Sequence, residues 1–381
     1  MAFNANGVFC GCLVVSITLI INMSGLTNVD LITGSASKFI AGYYFVSGVL
    51  GVVSHFILIV LFLFKKELRT VSNALIAQLC LIDLICIAKH NFIATAAYYH
   101  AEPVTGVLCL IYGWTSQNLG FLEMGTVAAI ALDRYLSYVK GIPATIGNRW
   151  FLFIYPLITG LSLPFLPLSG IGEYAQIQHG YTCDVNWVQG TLGFKYYILL
   201  GLMLNVFPNF FISLICYVLI DEKFRTTQAE KQNGEMQYTL LLPFAMALQY
   251  SVYSLCAMMG VFGATDIPAF IVIGGILVIK TGMLMNAFFY GYTSKDFRNA
   301  LCKMRDENEC EISTHVREKA GDKRNFIEEN PSSETFLSND VDCQRSPQFS
   351  RKSTKDIPHG TTLMIIDNSV LKDVRNFKLV R

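Results

Sequence analysis

Seven long apolar runs constrain this chain more than anything else in it. They cover Phe39–Phe64, Val71–Tyr98, Val107–Val139, Trp150–Leu168, Tyr196–Ile220, Met236–Phe262 and Ile267–Tyr292. Each reaches or approaches the ~20 residues that a helix needs to cross a bilayer. In hydrocarbon every backbone polar group must be satisfied within its own segment or a closed barrel, so apolar runs of this length read as helices. The expected fold is an all-α membrane protein, a seven-transmembrane helix bundle. Composition agrees: of 381 residues 53% are hydrophobic and only 15% charged, too apolar for a soluble chain of this size. The surroundings are membrane lipids. A net charge of +1 gives no reason to expect a nucleic-acid partner.

Where the charges fall sets the expected orientation. Lys65, Lys66 and Arg69 lie between helices 1 and 2, Arg134, Lys140 and Arg149 between 3 and 4, Lys223, Arg225 and Lys231 between 5 and 6, and Lys295, Arg298, Lys303 and Arg305 after helix 7. The alternate loops hold little beyond Lys38 and Lys195. Positive charge marks the cytoplasmic side, so the C-terminus is expected in the cytosol and residue 38 outside, in a multi-pass plasma-membrane protein.

Three parts follow: an extracellular N-terminus over 1–38, a helical domain over 39–305, and a cytoplasmic tail over 306–381. Val8–Ile21 is an apolar run of signal-peptide length, read as a cleaved leader within 1–24 or, alternatively, a re-entrant segment. Asn22-Met23-Ser24 is a glycosylation sequon on the outer side. The tail is dominated by Ser, Thr, Asn and charged residues, without apolar period, and reads as disordered. Its Ser332, Ser333, Thr335, Ser350, Ser353 and Thr354 are phosphate acceptors in type.

Lys280 stands inside the otherwise uncharged run Ile267–Tyr292. An ionisable group at that depth costs roughly 2.5–3.5 kcal/mol on insertion scales, and such residues face cavities and mark function. An amine held in apolar surroundings favours its neutral, nucleophilic form and can condense with an aldehyde. The alternative is a pocket cation that recognises an anionic ligand. No Gly-rich phosphate loop, metal-spaced Cys/His cluster or internal repeat appears, so neither an enzyme nor a transporter is expected. Most of the eleven cysteines lie in apolar runs, where cysteine acts as a small hydrophobe. Cys109 and Cys183 fall on the oxidising outer side, where a bridge between them would lid a cavity. Cys302 and Cys310 follow helix 7 on the inner side as palmitoylation sites or free thiols.

Several motifs now coincide. Helix 3 ends in Asp133-Arg134-Tyr135; Asp83 lies within helix 2; helix 7 carries Asn286 and Tyr290 in NAFFY. With Cys109 and Cys183, this set resembles the rhodopsin-like G protein-coupled receptors over about residues 39–305. Within that superfamily the chain resembles an opsin. Lys280 stands six residues before Asn286, Lys280-Thr281 and Lys295-Asp296-Phe297-Arg298 match the flanks, and TTQAEK at 226–231, CLIYG at 109–113 and the loop from Glu173-Tyr174 to TCDVNW at 182–187 keep opsin character.

The resemblance implies a short amphipathic helix 8, retinal bound to Lys280 as a Schiff base, a Cys109–Cys183 disulfide, and light-driven activation of a heterotrimeric G protein through an outward movement of helix 6. Arrestin and a receptor kinase would act at the tail. Arg134 would hold the resting state with Asp133, and Tyr135, Asn286 and Tyr290 would belong to the same activation machinery. Tyr112, Trp114, Phe121, Phe211, Tyr253 and His90 are candidate pocket residues. Asp83, Glu123, Asn286 and His55 are expected to form one buried polar group. A receptor of the same fold for another small molecule or a peptide is the alternative.

The chain also departs from the opsin pattern. The usual counterion positions hold Tyr112 and Ile177, helix 6 reads MALQYSVY with Leu248 or Tyr250 in place of a tryptophan, Ala287 follows Asn286, and His55 replaces an asparagine. Glu173 and Asp184 are the nearest loop acids and Glu123, about three turns inward of Tyr112 on helix 3, is the least favoured candidate; none is assigned as counterion, while Lys89 and His90 add positive charge. A sizeable ultraviolet-absorbing fraction is the expectation.

Overall fold

The computed structural model describes residues 34–177, 180–186, 191–227, 241–264, 267–292, 294, 296–301 and 303. Asn22, the N-terminal leader, Cys302, Cys310 and the tail lie outside the described residues, and the side chain of Tyr290 is not described.

Seven helical segments are present among the described residues. They are α1 (Gly34–Phe64), α2 (Val71–His100), α3 (Gly106–Tyr138), α4 (Ile146–Ser162), α5 (Leu192–Gly201, continued by Leu202–Val206 and Phe207–Thr227), α6 (Leu241–Val261) and α7 (Ala269–Asn286, continued by Ala287–Tyr292). Residues 296–301 are helical again, with Phe297 and Ala300 buried. α1 carries Phe39, Val46, Leu50, Phe56 and Leu63 on an exposed face, an apolar surface suited to lipid and unsuited to water. α3 is the central helix. It packs against α2, α4, α5 and the outer hairpin, and that shielding lets it bury Gln117, Asn118, Glu123 and Asp133.

Local chemistry explains the irregularities. Thr70 caps α2 by accepting a hydrogen bond from Asn73 N–H. Pro208 lacks an N–H and its ring clashes with the carbonyl four residues back; the clash falls on Leu204, inside the π-helical turn Leu202–Val206. Next to that turn Asn205 donates to the Thr159 carbonyl at 3.2 Å, Asn209 donates to Asn205 at 3.2 Å and Tyr155 donates to Asn209 at 2.5 Å, a polar seam between α4 and α5. α3 and α4 approach closely because Gly125 has no side chain: a Cβ there would lie 2.9 Å from Pro156 Cα.

The outer loop between α4 and α5 forms a short antiparallel hairpin, β1 (Tyr174–Gln176) and β2 (Cys183–Val185), with Ala175 opposite Asp184. The Cys109–Cys183 disulfide ties β2 to the start of α3, with the two Cα atoms 5.3 Å apart. β2 is buried along its whole length, so the hairpin plugs the bundle. Replacing Cys183 with serine is expected to cost roughly 2–5 kcal/mol, read as a lower thermal midpoint and reduced surface expression. An unchanged midpoint would show that the plug holds without its bridge.

Candidate functional site

A cavity lies beneath this hairpin. α3 presents Ser116, Gln117, Gly120, Phe121 and Met124, residues spaced at three and four along one helical face. α2 adds His90, α6 adds Tyr250, Tyr253 and Ser254, and α7 adds Ile276, Ile279, Lys280 and Met283. Asp184 enters from β2.

Lys280 is 4% exposed. Among the described residues its polar contacts are with sulfur, Cys86 Sγ at 3.6 Å and Met283 Sδ at 3.9 Å, both weak acceptors. Lys89 is better satisfied. Its ammonium donates to the Tyr112 carbonyl at 3.0 Å, to Ser116 Oγ at 2.9 Å and to Thr115 Oγ1, and lies 4.7 Å from the centre of the Tyr112 ring. His90 bonds Ser116 Oγ at 3.2 Å and packs on Tyr112 at 4.3 Å between ring centres.

Asp184 is 7% exposed. Its Oδ1 accepts Gln117 Nε2 at 2.6 Å, Tyr253 Oη at 3.0 Å and its neighbour's amide, Val185 N–H, at 2.7 Å. Burial pushes its carboxyl above the usual range, while the bonds from Gln117, Val185 and Tyr253 pull it back. Glu173 is spent elsewhere, accepting from Asn186 in an exposed bond at the rim.

A second polar group adjoins the cavity floor. Asn286 Nδ2 donates to Asp83 Oδ2 at 3.0 Å and to Glu123 Oε1 at 2.8 Å, and His55 Nε2 is 3.4 Å from Asp83 Oδ2. The four residues expected to meet are thus brought together. Two more join them from α6: Gln249 donates to Glu123 Oε1 at 2.8 Å and Tyr250 to Glu123 Oε2 at 2.6 Å. Gly282 makes room for this, since a Cβ there would sit 2.3 Å from Gln249 Cδ. Gln249 was not legible as a site residue because a single glutamine in an apolar run carries no spacing signal.

Other expectations are corrected. Trp114 packs edge-on against Phe165 at 5.3 Å, and Phe211 is 51% exposed beside Phe207 and Phe210, so neither lines the cavity. Tyr112 sits one turn above Ser116, buried under Lys89 and His90. Phe121, Tyr253 and His90 do line it. At the inner end Asp133 does not pair with Arg134. Its Oδ1 takes Arg149 Nε at 2.7 Å, and Arg149, fully buried, also donates to Ser137 Oγ at 3.2 Å and the Ile142 carbonyl at 2.9 Å. Arg134 instead donates to Tyr138 Oη at 3.3 Å. A guanidinium fork that finds three acceptors in a buried site holds the carboxylate better than a partly solvated one. The charge count between helices 3 and 4 placed Arg149 only as a loop cation.

The comparisons with known proteins agree with this architecture. The model of the 7 transmembrane receptor (rhodopsin family) matches residues 55–312. The visual pigment-like receptor peropsin of Mus musculus is 25% identical, over 70% of this chain and 83% of its own length. A rhodopsin of Camponotus atriceps is 27% identical, over 68% of this chain and 76% of its own. The crystal structure of squid rhodopsin superposes with a TM-score of 0.64 at 20% identity, covering 71% of this chain and 85% of that one. With more than half its length matched by the family model, the chain belongs to the rhodopsin family of seven-transmembrane receptors, as a divergent opsin-like member.

Proposed function

We propose that this receptor is a photoreceptor that carries retinal on Lys280 and activates a heterotrimeric G protein when illuminated. The observation that carries the reading is a lysine buried within α7, facing a cavity and bonded, among the described residues, to sulfur. Such an amine suits covalent capture of an aldehyde. The donor set fits the group: apolar walls from Phe121, Met124, Ile276 and Ile279 suit a polyene, and one carboxylate, Asp184, stands at the hairpin side. Retinal, joined to Lys280 Nζ, supplies light absorption and a change of shape within the cavity.

The chain's own residues connect that cavity to the helices. Tyr250 is both a cavity wall and a donor to Glu123. A displacement of Tyr250 loosens the tie of α6 to α3, and Gln249 and Asn286 share the same carboxylate. The inner ends of α3 and α6, with Arg134 and Tyr135, would then receive the G protein. The positive loops support a cytosolic position for this end and an outer one for the Cys109–Cys183 hairpin. Arrestin and a receptor kinase at the tail, palmitate on Cys302 and Cys310, and a glycan at Asn22 complete the proposal.

Purified protein incubated with 11-cis-retinal should give a light-sensitive absorption band above that of free retinal or, with the link unprotonated, in the near ultraviolet. Lys280→Ala should give none. A light-sensitive band of equal strength in Lys280→Ala would remove the attachment.

A further inference from the structure

The two positions where an opsin-like chain would carry its anion hold Tyr112 and Ile177 here, and neither is a carboxylate. We infer that Asp184, delivered by the hairpin, is the anion of the chromophore site, and that Gln117 and Tyr253 hold it there. The inference rests on the retinal reading above and adds to it the residue that governs protonation of the lysine–retinal link, and so the colour of the pigment.

Three observations converge. Asp184 is the one carboxylate among the described residues lining the cavity, and Lys280 lines the same cavity. It follows Cys183 directly, so the disulfide to α3 fixes the strand that carries it. Its Oδ1 is cradled by donors from three places, Gln117 on α3, Tyr253 on α6 and the Val185 amide. Gln117 and Tyr253 also bond each other. A buried carboxylate with this many donors is prepared to stay charged as soon as a cation shares the cavity. The other acids do not compete: Glu173 is bonded at the exposed rim, and Glu123 is engaged by Gln249, Tyr250 and Asn286.

The titratable neighbours of Asp184 are Lys89 and His90 on α2, Tyr112 on α3, Tyr174 on β1, Tyr197 on α5, Tyr253 on α6 and Lys280 on α7. The tyrosines carry no charge at neutral pH, and Lys89 is spread over three oxygens and a ring. Asp184 therefore supplies the negative charge of the site, and the positive neighbours make its loss costly. The wild-type pigment should absorb in the visible at neutral pH, which revises the ultraviolet fraction expected from Tyr112 and Ile177.

The test compares charge with shape. Asp184→Asn keeps the outline and an oxygen able to accept from Val185, but removes the charge; Asp184→Glu keeps the charge and disturbs the outline. Both are purified with 11-cis-retinal and titrated spectroscopically. The expected result is a visible band in wild type and Asp184→Glu, and a near-ultraviolet band in Asp184→Asn at neutral pH. The pH midpoint of the visible form in Asp184→Asn should fall by about 1–3 units, and chloride should partly restore it. A visible band in Asp184→Asn with the wild-type midpoint would overturn the inference, as would loss of the band in Asp184→Glu alone, which is the signature of a structural role. A wild-type protein that forms no pigment would instead overturn the retinal reading on which the inference rests.

Discussion

Arg149→Met is expected to destabilise the receptor by about 3–5 kcal/mol, because it leaves the Asp133 carboxylate buried without its cation. Arg149 and Asp133 are 0% and 1% exposed at their side chains, joined at 2.7 Å. The same guanidinium bonds Ser137 Oγ and the Ile142 carbonyl, so one side chain fastens the end of α3, the following loop and the start of α4. The double variant Asp133→Leu/Arg149→Met removes both charges and should recover most of the loss, since a buried pair replaced by apolar residues is often near neutral. The check is the thermal midpoint of the purified protein in detergent. A single variant no worse than the double would mean that the pair is hydrated rather than buried. A further consequence concerns Arg134, whose hydrogen bond goes to Tyr138 and not to Asp133. Tyr138→Phe is the variant that removes this hydrogen bond.

Glu123→Ala should have the second large effect. Glu123 accepts three hydrogen bonds, from Gln249, Tyr250 and Asn286, and its removal strands buried donors at roughly 1–3 kcal/mol for each one left unsatisfied. Two of those donors belong to α6. Releasing them favours any state in which α6 has left α3, so the dark, light-independent rate of nucleotide exchange on the G protein should rise about 5–150-fold for a shift of 1–3 kcal/mol. Glu123→Gln keeps an accepting oxygen and should do much less. Glu123 and Asp83 share the Asn286 amide, and two carboxylates this close in a buried site do not both keep a full charge without a partner. Basal exchange in Glu123→Ala equal to wild type would show that α6 is held by other contacts.

Much of this was legible in the sequence because membrane burial leaves strong signals. Apolar runs of spanning length must be helices, and the seven helices appear where those runs lie, with α1, α4 and α5 starting a few residues earlier than the hydropathy suggested. Lys280 announces itself by being charged in an apolar run, and Asp83, Glu123, Asn286 and His55 by being polar at buried helical positions. What was not legible depends on rotation and on long-range partners. Trp114 and Phe211 are aromatic like true cavity walls, but Trp114 packs on Phe165 in the turn after α4 and Phe211 stands on the exposed side of α5. Asp133 lies next to Arg134 in sequence, but successive residues on a helix point about 100° apart, and the carboxylate found Arg149 across the loop instead. Asp184 is one loop acid among several until the hairpin register and the disulfide put it under the lid.

Borohydride reduction of the retinal-loaded protein, followed by peptide mapping, tests the chromophore attachment most directly. Lys280 and Lys89 are both partly or fully buried amines near the cavity, but Lys89 is already bonded to three oxygens, whereas Lys280 meets, among the described residues, the sulfurs of Cys86 and Met283. The expected result is a retinyl group on the peptide that contains Lys280. Label on Lys89, or no label on any peptide, would contradict it.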